Sequence, residues 1–93
     1  MKIGGIYYNI CYKTNEEMNG NIGLANFNDQ LISINNSHTE QTQRIALVHE
    51  VLHILDSTYN LKFTEEQVTY TAHALLSFFA DNKDFLKNYI TKE

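Results

Sequence analysis

The 93-residue chain has no proline and no tryptophan, a single cysteine and only four glycines. Without proline, no helix here is stopped by a missing backbone donor, so every boundary must rest on caps and on Asn, Asp and Gly chemistry. A lone Cys11 cannot form an internal disulfide. With no His or basic residue adjoining it, it reads as a small strand residue rather than a reactive thiol. Basic residues are in deficit, seven against eleven acidic ones, and the net charge of −4 leaves no electrostatic footprint for nucleic acid. No apolar run approaches the roughly 18 residues of a membrane span, and Met1-Lys2-Ile3-Gly4-Gly5 lacks the apolar core of a signal peptide. Low-complexity tracts and repeats are missing too. These absences point to one cytoplasmic domain over residues 1–93, long enough for a single core, with neither nucleic acid nor membrane as partner.

What the chain does have divides into a strand-rich third and a helical remainder, an α+β pattern. Lys2 to Lys13 is rich in Ile and Tyr and reads as one strand with a bend at Gly4-Gly5. Ile6, Tyr8, Ile10 and Tyr12 would share one side, and Ile3, Tyr7 and Cys11 the other. Ile22 to Phe27 and Leu31 to Ile34 flank Asn28-Asp29-Gln30 and read as a hairpin, giving a small, mainly antiparallel sheet of three strands. Ser37-His38-Thr39-Glu40 fits a capping box, so a helix should run from near Ser37 to about Ser57, with Asn60 left-handed at its stop. Its apolar residues reach almost all the way round, which predicts burial between the sheet and a second helix. That second helix should start at the capping box Thr64-Glu65-Glu66-Gln67 and run to about Ala80. Its inward face would be Val68, Ala72, Leu75, Leu76 and Phe79. A short third helix, Lys83 to Ile90, would pack through Phe85, Leu86, Tyr89 and Ile90.

The first helix carries His49-Glu50-Val51-Leu52-His53, the H-E-x-x-H spacing, among Leu, Val and Ile. Residues four apart share a helix face, so His49 and His53 can close on one Zn²⁺, with Glu50 beside a water on the metal. Burying such groups unpaired would cost several kcal/mol, so their presence on an apolar helix asks for a chemical reason. The bare pattern arises by chance on the order of once in a few hundred chains of this size, and it gains weight only from its helical, apolar context.

Two histidines are half of a tetrahedral site, and a catalytic zinc takes three protein ligands. The candidates for the third are Glu65, Glu66, His73, Asp56 and His38. Helical phase favours Glu65, which heads the inward face three and seven residues before Val68 and Ala72. Glu66 shares a more solvent-facing stripe with Thr69, Tyr70 and His73. Asp56, one turn beyond His53, is either an acceptor for a ligand imidazole or a helix-end residue facing water. Tyr59 and Tyr70 could donate to an oxyanion but are more commonly packing residues. His38 reads as a solvated residue of the capping segment.

With those residues in hand, the chain resembles the small zincin-type metallopeptidases: the minigluzincins and the short phage-associated proteins related to the ImmA/IrrE group. The likeness spans nearly the whole chain. It rests on Leu31-Ile32-Ser33-Ile34-Asn35, on Ala46-Leu47-Val48-His49-Glu50-Val51-Leu52-His53, on Glu65-Glu66-Gln67-Val68 with Ala72, and on the closing Phe79-Ala80-Asp81-Asn82. The resemblance implies a minimal zincin-like domain with His49, His53 and Glu65 as zinc ligands and Glu50 as general base. It also implies a peptide or protein substrate, for which the edge of Leu31 to Asn35 offers strand addition. One departure is economy. Only eleven residues separate His53 from Glu65, and no C-terminal subdomain walls the cleft. A zinc-binding regulatory module with little or no turnover, acting by binding a protein partner, is therefore the alternative expectation.

Overall fold

A computed structural model describes residues 1–90. Residues 91–93 and the Ile90 side chain lie outside the described set. Two short strands, β1 (Lys2–Ile3) and β2 (Ile6–Tyr7), form an antiparallel hairpin across Gly4-Gly5. Both glycines have positive φ, the conformation of a tight hairpin turn, so the expected single bent strand is two strands turned back on each other. The turn also resets the facing pattern expected for this segment. Ile3 and Tyr8 are buried, whereas Ile6, Tyr7 and Tyr12 are exposed.

The main sheet holds β3 (Asn9–Lys13), β4 (Gly23–Asn26) and β5 (Leu31–Asn35) in the order β3-β5-β4. The expected hairpin is present, with Gly23 opposite Ile34 and Asn26 opposite Leu31. The sheet is mixed rather than mainly antiparallel, because β3 runs parallel to β5. The connection over residues 14–22 folds the chain back, so the hairpin inserts β5 between β3 and β4. Buried Asn35 fixes this arrangement. Its side-chain nitrogen donates to Asn15 Oδ1 (2.7 Å) and to the Asn21 carbonyl (3.0 Å), and its Oδ1 accepts the Ser37 N–H (2.9 Å). Because β5 is paired on both sides, Leu31–Asn35 has no edge left for strand addition, and the open edge beside the helices is that of β4.

Helix α1 (Glu40–Tyr59) starts two residues later than expected. Ser37 spends its N–H on Asn35, and Thr39 is the N-cap, its Oγ1 accepting the Thr42 N–H (3.2 Å). Asn60 closes the helix at φ 53°, as its residue type foretold. Helix α2 (Glu65–Asp81) opens with the anticipated Thr64–Gln67 capping box. α1 is buried on two sides. Ala46 and Ile54 pack with Ile3, Tyr8, Ile32 and Ile34 of the sheet, while Leu52 packs with Val68 and Ala72 of α2. The inward face of α2 is covered only over its first half, and Phe79 is exposed. The C-terminal helix has the expected bounds but is α-helical only in part. It comprises α3 (Lys83–Phe85) and a π-helical turn at Leu86–Ile90, with Phe85 and Tyr89 stacked on each other and both exposed. No helix among the described residues is long and apolar enough to cross a membrane.

Candidate metal centre

α1 supplies His49, Glu50 and His53 from just over one turn, and their ligand atoms all lie within 4.8 Å of one another. They are positioned to bind a metal ion. α2 adds Glu65 from its first position. His49 Nε2 lies 2.7 Å from Glu65 Oε1, His53 Nε2 lies 3.0 Å from Glu65 Oε2, and the two Nε2 atoms are 3.1 Å apart. Two trios thus share the imidazoles, one completed by Glu50 and one by Glu65. The second is the tighter. In a tetrahedral zinc site with bonds near 2.1 Å, ligand atoms stand roughly 3.4 Å apart, so the Glu65 trio, at 2.7 to 3.1 Å, would open by about 0.3 to 0.7 Å to receive an ion.

The environments of the two carboxylates differ. The Glu65 side chain is 68% exposed and reaches over both imidazoles. Glu50 is buried, 9% exposed, and faces β4. Burial pushes the Glu50 carboxyl above the ordinary carboxylate range, and Glu65 adds to this. His49, His53 and an N–H from the Ala25 backbone act in the opposite direction. Glu50 therefore holds a proton more readily than a free carboxylate does.

The loop between the helices aims Glu65. The Asn60 and Leu61 N–H groups both donate to the Asp56 carbonyl, and Asp56 Oδ1 accepts the Phe63 N–H at 3.1 Å. That staple engages Asp56 in the turn, so of its two expected readings neither the imidazole acceptor nor the solvent-facing helix end describes it. Phe63 packs with Leu52 and Val68, which seats the start of α2.

The trio lies in a cleft of about 640 Å³, whose lining includes Gly23, Leu24 and Thr69. His73 also lines it, on the same stripe of α2 as Glu65 and Thr69, and is exposed, as expected of its more solvent-facing stripe. Glu66 does not line the cleft and makes no contact with either histidine. Tyr59 and Tyr70 are exposed and away from it. His38 is also absent from the lining, its carbonyl taking a hydrogen bond from Gln43. Sequence reasoning missed Gly23 and Ala25, although a glycine inside a strand is the signal for a close approach by another group. No protein-family model matches the chain, and no curated protein or solved structure matches it either.

Proposed function

We propose that this chain is a zinc-dependent metallopeptidase of minimal zincin type, with His49, His53 and Glu65 holding the metal and Glu50 acting as general base. The observation that carries the reading is the convergence of two imidazoles and one carboxylate within 2.7–3.1 Å, beside a second, buried carboxylate. Neighbouring residues of one helix face supply the imidazoles, and a capped helix start supplies Glu65, so little reorganisation would be needed to receive an ion.

When bound, zinc supplies Lewis acidity toward a carbonyl oxygen and a lowered pKa for water. Glu50 takes the proton of the attacking water and delivers it to the leaving amine, and its raised affinity for a proton suits both steps. The free edge of β4, with Leu24 at the lip of the cleft, offers main-chain groups to an extended peptide lying over the ligands. A zinc-binding regulatory module stands as the second reading, favoured by the exposure of Glu65 and the shallow cleft around it.

Metal analysis of the wild type beside Glu65→Ala and Glu66→Ala tests the ligand set. About one zinc per chain is expected in the wild type and in the Glu66 variant. The Glu65 variant should lose at least about tenfold in zinc affinity. Equal zinc in all three would remove Glu65 from the site. Glu50→Gln should keep the metal and lose hydrolysis of a denatured protein substrate such as casein by at least about a hundredfold. Retained turnover in that variant would sink the role given to Glu50. Zinc binding with no cleavage by the wild type would favour the regulatory module.

A further inference from the structure

Gly23 is a glycine whose backbone does not call for one. Positive φ values occur at Gly4, Gly5 and Gly20, whereas Gly23 lies in β4 with a strand conformation open to any residue. A glycine inside a strand weakens it, through lost side-chain packing and the greater freedom of the unfolded chain. The space around it supplies a reason for its use. A Cβ at position 23 would stand 3.1 Å from Glu50 Cγ and 3.3 Å from Glu50 Oε2, both tighter than ordinary contact, and 3.4 Å from Ala46 Cβ.

Glu50 is buried against β4 on one side and lines the cleft on the other, so a Cβ at position 23 would push its carboxylate away from the strand and toward the cleft. The Ile22 carbonyl accepts the Asn35 N–H from β5. Alternation along an antiparallel strand then turns the main-chain groups of Gly23 and Ala25 to the free edge of β4, on the cleft side. Two small residues, two apart and on the face toward α1, therefore form a seat for one carboxylate.

We infer that Gly23 is a positioning residue for Glu50: the missing side chain leaves the space in which the Glu50 carboxylate lies against β4, and a Cβ there would displace it relative to His49, His53 and Glu65. The catalytic half of this inference rests on the metallopeptidase reading. The steric half stands without it, and the experiment separates the two.

A double-mutant cycle on the metal-free protein reads the steric coupling. Gly23→Ala should lower Tm by about 5 °C when Glu50 is present. In a Glu50→Ala background the same substitution should be neutral or raise Tm, because the crowding atoms are gone and alanine suits a strand better than glycine. An equal fall in both backgrounds would overturn the inference, whether or not the protein binds zinc. In the zinc-loaded protein, Gly23→Ala should leave metal content and KM for a fluorogenic casein unchanged while kcat falls about 10- to 100-fold. An unchanged kcat would show that position 23 does not set Glu50, even if the cycle shows contact. A wild type that binds no zinc would instead count against the function proposed above and leave the cycle to be judged on its own.

Discussion

The two ends of α2 are built to different standards. Its first half begins at a reciprocal capping box, buries Val68 and Ala72 against Leu52, and presents Glu65 to the histidines. Its second half leaves Phe78 46% exposed, and the stacked pair Phe85–Tyr89 beyond it is exposed as well. A second depression, about 970 Å³, lies at this loose end, between the start of α1 and the end of α2. The better-packed region holds the candidate metal centre. The ligands and base proposed for it would need positions fixed to a fraction of an ångström, which the doubly covered stretch of α1 and the first turns of α2 are built to supply.

The sharpest way to break this comparison is to loosen the packed side. Asn35→Ala removes three side-chain hydrogen bonds that tie the loop before β4 and the approach to α1 to the central strand. It should cost about 3 kcal/mol, since each lost bond also strands a partner. For a domain of this size that corresponds to a fall in Tm of about 15 °C, measurable by circular dichroism. A loss under about 1 kcal/mol would mean that the network does not organise the sheet.

A second, smaller effect comes from the buried base. Burial raises the Glu50 carboxyl in the folded state, so the folded protein holds that proton more tightly than the unfolded chain does. The associated stability is fully present below the ordinary value of 4.5 and is lost as pH rises through the elevated folded value. Metal-free Glu50→Gln does not titrate there, so it should be the more stable form at neutral pH, by on the order of 1 kcal/mol. Its advantage should shrink as pH falls through that window and be smallest below it. Thermal scans of both proteins from pH 4 to 7.5 give the answer, and an advantage that grows toward acid would reverse the sign argued here. The smallest effect belongs to the loose end. Tyr89→Ser should move stability by no more than about 0.5 kcal/mol in chemical denaturation, because that residue is 75% exposed in the native state.

Much of the packed side was legible in the residues. The apolar girth of α1, the Thr64–Gln67 box, the left-handed Asn60 and the phase of Glu65 are all local signals, set by a few neighbouring positions. What escaped were relations between distant segments. Ser37 looked like an N-cap until Asn35 claimed its N–H, and Thr39 took over. The direction of β3 relative to β5 depends on how a polar loop folds back, which hydrophobic alternation does not encode. Helical phase put His73 toward solvent, where it lies, but it gives angles round an axis and not what stands opposite, so the part that His73 and Thr69 take in lining the cleft was not legible. Asp56 showed the limit of phase in another way, since its carboxylate found a backbone donor in the following loop before any imidazole.

The α1–α2 pair also has a kinetic meaning. Its ligand trio spans 16 residues from His49 to Glu65, closed by a loop that Asp56 pins, whereas Gly23 and Ala25 come from a strand outside the helical hairpin. Short loops close at lower entropic cost than long ones, and contacts between near neighbours form sooner than the pairing of distant strands. The order of assembly that follows has the helical hairpin bring its three ligands together first, with the seat of Glu50 arriving when β4 docks. Under the proposed reading, a metal ion encountered during folding would meet His49, His53 and Glu65 before Glu50 is seated, so metal capture would precede completion of the site.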